Sequence, residues 1–245
     1  MGSAADGSGG AHALNLGGGA AEVRRDGLLI ALTFSAGLVD AISYLGLGQI
    51  FTANMTGNVV FLALALGERN LPTALHSATA LIGFSVGAAA AGLVLERPRP
   101  AGPWPGRVNW LLWGQLAFLL AFAVIWASRR GEPDATTLYV LIALSSLGMG
   151  LQNAAARHLA VPSLTTTVVT GALTSVMVDL PALGISGTAQ QKGLVAVATL
   201  FAGAAVGATL TVYARPFAPM VTVAVLAAVA LVAYLSFHDH PSPSV

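Results

Sequence analysis

Residues 27–48 read GLLIALTFSAGLVDAISYLGLG, and this stretch decides the fold. A helix crossing the hydrocarbon core of a bilayer needs about 20 mostly apolar residues at ~1.5 Å each. Here Asp40 is the sole acidic or basic residue in such a run. Five further stretches, 74–95, 108–128, 136–156, 193–213 and 218–237, satisfy the same requirement. Two shorter or more polar ones, 55–66 and 164–183, stand between them. Charges, Pro and Gly collect in the connections: Glu68-Arg69-Asn70, residues 96–107, residues 129–134 and Arg215-Pro216. Apolar blocks with polar punctuation predict an all-α, polytopic transmembrane helix bundle of six long helices plus two short or re-entrant ones.

Composition agrees. Of the 245 residues 56% are hydrophobic and 9% charged, and the mean hydropathy is +0.77. Soluble domains carry about 25% charged residues, so this chain has too few to cover a surface in water, and the lipid bilayer is its expected surrounding. A net charge of +1 gives no basic field for nucleic acid. The absence of cysteine removes disulfides and thiolate chemistry. The five histidines, His12, His76, His158, His238 and His240, form no ligand pair at metal spacing within a helix. No metal, cofactor or catalytic residue is expected. Residues 1–26 read as a disordered tail before an uncleaved first span, since no Lys or Arg precedes Arg24, as a secretory signal would require. Residues 27–237 read as one membrane domain and 238–245 as a short tail.

The domain repeats itself. Gly37-Leu38-Val39-Asp40-Ala41 aligns with Gly150-Leu151-Gln152-Asn153-Ala154. After one inserted residue, Leu45 meets Leu159, Thr52 meets Thr166, Thr56-Gly57 meets Thr170-Gly171 and Leu66 meets Leu180. Gly83 and Gly87 match Gly203 and Gly207 further on. Two internal repeats, 27–128 and 136–237, follow, and such repeats are a common way to build transporters. If the short helices cross completely, each repeat has four spans and both point the same way. If they are re-entrant, each has three crossings and the second is inverted. With eight crossings the arginines and lysines divide six to five between the sides, and with six crossings seven to four. The positive-inside rule leaves both routes open.

Asp40 is the only acidic residue deep within a long span, 13 positions after Gly27. A carboxylate at that depth costs a few kcal/mol unless it has a partner, a cavity or a proton. It shares a helix face with Thr33, Gly37 and Tyr44, and Ser146, Gly150, Asn153 and Arg157 repeat that spacing. A second constellation is Phe51-Thr52-Ala53-Asn54-Met55-Thr56-Gly57-Asn58, with its counterpart Thr165-Thr166-Thr167-Val168-Val169-Thr170-Gly171. Thr and Asn cap helix N-termini, and a helix that starts inside the membrane offers unpaired N–H groups there. The expected reading is a secondary transporter or permease for an unidentified small solute, coupled to a proton or cation. Asp40 takes the coupling ion, while Asn54, Thr56, Asn58, Gln152, Asn153, Thr166 and Thr170 line a midplane site. The competing reading is a scaffold or sensor whose polar residues only fix helix packing.

These motifs together resemble the YoaK-type family of bacterial multi-spanning membrane proteins, a domain of unknown function. The resemblance covers residues 27–237 or nearly so. It implies an inner-membrane protein of transporter type without an established substrate.

Three other features have plain expectations. Arg157 stands near a span's end, where a long basic side chain snorkels to the interface. Gly83-x-x-x-Gly87 and Gly203-x-x-x-Gly207 let helix backbones approach closely, within a protomer or between protomers of a homo-oligomer. Gly83-Phe84-Ser85-Val86-Gly87 fits the Gly-x-Ser-x-Gly pattern of hydrolases, but that motif needs a strand-to-helix turn and here lies inside an apolar helix. The chain is therefore expected not to be an enzyme.

Overall fold

The structure is a computed structural model that describes residues 9–95, 104–159 and 188–237. Its helices are α1 (Gly9–Gly46), α2 (Met55–Gly67), α3 (Leu71–Leu95), α4 (Gly106–Ser128), α5 (Ala135–His158), α6 (Thr188–Tyr213) and α7 (Ala218–Phe237), with a 3-10 turn at Arg215–Phe217 before α7. Among the described residues there is no strand. Six helices are long and apolar enough to cross a membrane, and α2 is a shorter apolar one. Their outward faces carry large apolar groups, with Leu93, Trp110 and Phe201 each 75% exposed. A water-soluble monomer does not present such a surface; a multi-pass membrane protein does.

Side-chain contacts fix the direction of each helix. Let the end of α1 at Gly46 be the upper end. Gly46 lies against the ring of Trp126 near the end of α4. Trp126 Nε1 donates to the Arg215 carbonyl at 2.7 Å, and Arg215 Nε donates to the Gly131 carbonyl at 2.8 Å. The end of α4, the start of α5, the end of α6 and the start of α7 therefore meet at the upper end. The start of α3 joins them, because His76 packs on Gly48. At the lower end Lys192 of α6 pairs with Asp26 of α1 at 2.7 Å. There Trp104, just before α4, stacks on Phe237 of α7 with centroids 5.4 Å apart. The six long helices thus alternate in direction: α1 up, α3 down, α4 up, α5 down, α6 up and α7 down.

Two close helix crossings form the middle of the bundle. A Cβ on Gly37 of α1 would stand 2.8 Å from Ala204 N and 3.2 Å from Gly203 C of α6. A Cβ on Gly150 of α5 would stand 2.8 Å from Ala88 N and 3.1 Å from Gly87 C of α3. In return, one on Gly203 would meet the Phe34 backbone and one on Gly87 the Leu147 backbone. Gly83 and Gly207 also face neighbouring helices within the chain, at Ser146 and Leu38. Gly203 thus makes the contact that Gly87 makes, not the one Gly83 makes. The sequence match of Gly83 and Gly87 with Gly203 and Gly207 is displaced by one helical turn. Ala and Gly are equally small at such crossings, so a slip of four residues leaves sequence similarity nearly unchanged.

The first helix also begins earlier than expected. Residues 9–26, read as tail, are helical and continuous with the span. Gly19 and Gly27 have nothing within 4 Å of a Cβ position, while Asp26 at the end of that part pairs with Lys192 of α6. Good helix formers such as Ala, Leu, Glu and Arg offset its glycines.

Candidate functional site

Beyond α1 the chain turns back on itself. Gly48 and Gln49 take left-handed backbone angles, φ +81° and 60°, and the Gln49 N–H bonds the Tyr44 carbonyl at 3.2 Å. The segment then descends along α1 until the N–H groups of Thr52 and Ala53 donate to Asp40 Oδ1 at 3.0 and 2.7 Å. Asp40 lies six residues before Gly46, about 9 Å below the end of α1, and the dip reaches that depth. There α2 begins and runs back upward. Its end is joined through Glu68, Arg69 and Asn70 to the start of α3 at the upper end. The dip and α2 enter and leave at one end, so the described chain follows the re-entrant route of the two that the sequence allowed. The corresponding stretch between α5 and α6, including Thr166 and Thr170, lies outside the described residues.

One side chain holds the dip closed. Asn58 is fully buried; its Oδ1 accepts the Phe51 N–H at 2.9 Å and its Nδ2 donates to the Phe51 carbonyl. The Phe51 ring stacks on Tyr44 at 5.5 Å and leans on Phe61 at 5.6 Å. Asn54 and Thr56, at the head of α2, are exposed.

Below the Gly48 turn, three hydroxyls meet. Thr52 Oγ1 lies 2.9 Å from Ser43 Oγ and 2.8 Å from Ser145 Oγ, and all three residues are fully buried. A second polar group lies lower between α1, α4 and α5. Gln152 donates to the Leu32 carbonyl at 2.9 Å, and its Oε1 receives Gln115 Nε2 and Ser35 Oγ. Ser35 and Ser43 are eight residues apart, so the two groups are separated by about 12 Å along the axis of α1.

Of the eight residues that the sequence gathered into one midplane site, Thr166 and Thr170 lie outside the described residues, and the other six are spread over the dip and the lower cluster. Asp40 and the exposed Asn54 and Thr56 share the dip, Asn58 ties its backbone, and Gln152 belongs to the lower cluster. Asn153 donates to its own helix at the Met149 carbonyl and makes a further interaction. The two polar helix faces that share this spacing have different neighbours, since Gly37 packs on α6 and Gly150 on α3. Arg157 is exposed in the last turn of α5, far below Asp40. Ser85 sits mid-helix with its hydroxyl on the Leu81 carbonyl. A small crevice between α1, α4 and α7 is lined by Val39, Ile42, Leu119, Phe122, Pro219 and Thr222 and is apolar but for Thr222.

Ser43, Thr52, Ser145 and Gln115 were missing from the sequence-based site. A signal existed for two of them: Ser43 stands one turn from Asp40, and Gln115 is an isolated amide in an apolar helix. The pairing of Thr52 with Ser145, 93 positions away, has no local signature.

The dip is a row of N–H groups turned on a carboxylate, the arrangement that binds anions at helix starts. Asp40 already occupies it, so an anionic solute has no vacant place there. What remains on offer is the negative charge of Asp40 itself, with the Thr52 hydroxyl on the same dip, which suits a cation or a hydrogen-bond donor.

A family model described as "Protein of unknown function (DUF1275)" matches residues 28–233. The UPF0700 transmembrane protein YoaK of Bacillus subtilis (strain 168) is 40% identical over 156 residues, which cover 64% of this chain and 67% of that protein. No solved structure matches.

Proposed function

The chain belongs to the DUF1275 family of multi-pass bacterial membrane proteins, and from that premise we propose that it is a permease for a small cationic or neutral solute, with Asp40 as its ion-coupling group. The observation that carries this reading is the dip whose backbone N–H groups close on a carboxylate about 9 Å inside the bundle. Broken helices that end at membrane depth mark substrate and ion sites in transporters. An inverted relation between residues 27–128 and 136–237 belongs to the same proposal. It is supported by the like packing of Gly37 on α6 and Gly150 on α3, with α1 and α5 running in opposite directions. Among the described basic residues Arg24, Arg25, Arg107, Arg157 and Lys192 fall at the lower ends of the helices and Arg69, Arg129, Arg130 and Arg215 at the upper, and the count over the whole sequence for six crossings is seven to four. The lower end is accordingly assigned to the cytoplasm, and the dip opens from outside.

A second reading keeps one specific support. Asn58 and Gln152 are fully buried and bonded to backbone or to other side chains, as in a non-transporting scaffold whose polar groups set helix packing.

Flux separates them. Purified protein in liposomes with a trapped pH-sensitive dye is challenged with gradients of amines, alkali cations, amino acids and sugars. A permease moves at least one solute faster than protein-free vesicles, and Asp40→Asn changes both its rate and its pH dependence. Wild-type rate and pH profile in Asp40→Asn end the coupling role; no flux with any solute favours the scaffold.

A further inference from the structure

We infer that Asp40, Ser43, Thr52 and Ser145 form a binding site for one monovalent alkali cation, sodium in the first instance. The inference deepens the permease reading by naming its coupling ion, though binding is measurable without transport.

The three hydroxyl oxygens are already together, and the Thr52 backbone ties them to Asp40. Ser43 follows Asp40 by three residues on one face of α1. Thr52 joins the two kinds of donor: its N–H holds Asp40 Oδ1 at 3.0 Å, and its Oγ1 lies within 2.9 Å of both Ser43 Oγ and Ser145 Oγ. These hydroxyls also differ from six others on the described helices. Thr33, Thr79, Ser85, Ser146, Thr209 and Thr211 each turn their hydroxyl back to the carbonyl four residues earlier. Ser43 and Ser145, on helices of the same kind, form no such bond and point at Thr52 instead. Three hydroxyls have six acceptor lone pairs between them, and the two hydrogen bonds that link them use two. A buried, acceptor-rich cluster is left beside a carboxylate.

Charge points the same way. Salt bridges among the described residues join Arg25 and Lys192 to Asp26 and Arg129 to Asp134, all at the ends of the bundle. Asp40 has no Lys or Arg partner among them. A carboxylate at that depth calls for a compensating positive charge, and a bound ion supplies one. The donors are oxygens only, which excludes soft metals. A single carboxylate with neutral hydroxyls balances one charge rather than two. Among the described residues no group of three His, Cys, Asp or Glu side chains stands ready for a metal ion. Asp40, the one of the four residues that is not fully buried, marks the point of entry, and an ion held between its carboxylate and the three hydroxyls completes the site.

The test is equilibrium binding of radioactive sodium to the detergent-purified protein, together with tryptophan-monitored melting in sodium, potassium or choline chloride at constant ionic strength. The site predicts saturable binding near one ion per chain and a higher melting temperature in sodium than in choline. Asp40→Asn abolishes both, and Ser145→Ala raises the half-saturating concentration at least tenfold. Ser146→Ala, whose hydroxyl serves its own helix, leaves it unchanged. A potassium effect equal to that of sodium supports the site without size selectivity. Equal melting in sodium and choline with no saturable binding overturns it, as does binding that survives both Asp40→Asn and Ser145→Ala. Sodium binding without any solute flux would remove the permease reading and keep the site; sodium-independent flux without binding would do the reverse.

Discussion

A glycine in a membrane helix is informative when a neighbouring backbone occupies the space its side chain would need. At Gly87 a Cβ would press on the Leu147 backbone, 3.0 Å from its C and 3.1 Å from its Cα. At Gly92, five residues along the same helix, nothing lies within 4 Å. Gly87→Ala must push α3 and α5 apart, at a cost of about 1–3 kcal/mol typical of overpacking. Gly92→Ala is neutral or slightly stabilising. Thermal unfolding in detergent should rank them so, and equal melting temperatures would deny that this crossing is tight. Asp134 gives a prediction of another kind. It caps α5, accepting the Thr137 N–H at 3.0 Å and the Thr137 hydroxyl at 2.7 Å, with Arg129 at 3.0 Å. The Thr137 N–H above all, then its hydroxyl, and more weakly Arg129, hold the Asp134 carboxyl below the usual carboxylate range. Folding thus favours the charged form. Its stabilisation is present above the unfolded carboxylate value of about 3.9 and is lost as pH falls through the lower folded value. Asp134→Ala should melt below wild type at neutral pH, and the gap should close in strong acid. A gap that widens on acidification would refute the cap.

The element that matters most is the dip with α2, and Asn58 is its fastening. Asn58→Ala strips both hydrogen bonds from the Phe51 backbone inside a buried turn, and each orphaned group costs about 1–3 kcal/mol. Hydrogen–deuterium exchange over residues 47–56 should quicken in this variant while exchange in α5 stays slow; unchanged exchange in the dip would assign its closure to Asp40 and the aromatic stack alone. This element also marks how far the sequence could be read. The six long spans were legible, because twenty-residue apolar runs with polar ends have one physical meaning. That Thr52, Asn54 and Asn58 head a short helix was legible from capping chemistry. Whether that helix crosses was not, since thirteen residues suit either route and the decision rests on Thr52 and Ala53 reaching Asp40 across a turn. Asn58 read as a ligand because an amide in an apolar helix announces only that it needs partners. Gln152 is alike in this: Gln115, Ser35 and Leu32 supply its partners, and none is near it in sequence. The helical start at Gly9 was hidden by a glycine-rich composition that fits a tail equally well.

At the scale of the molecule, the re-entrant route makes a claim about sides. If α2 returns to the end it came from, Gln49, Asn70 and Glu132 all lie at one end and Gly106 at the other. If α2 crossed, Gln49 and Asn70 would be on opposite sides, and Asn70 would share the cytoplasm with Glu132. The chain has no cysteine, so single cysteines report without background. Gln49→Cys, Asn70→Cys and Glu132→Cys should each react with a membrane-impermeant maleimide on intact spheroplasts, and Gly106→Cys only after permeabilisation. All four positions are exposed in the structure, so silence at one of them reflects the side and not burial. Protection of Asn70→Cys in intact cells beside a reactive Gln49→Cys would show α2 passing through. The opposed directions of α1 and α5 would then lose their meaning, because two halves with four crossings each point the same way. Equal reactivity at Gln49, Asn70 and Glu132 leaves α2 entering and leaving from outside, where a carboxylate already occupies the positive end of its dip. An ion arriving from that side meets a negative charge held in place by the backbone, and a solute anion meets the same charge as a barrier.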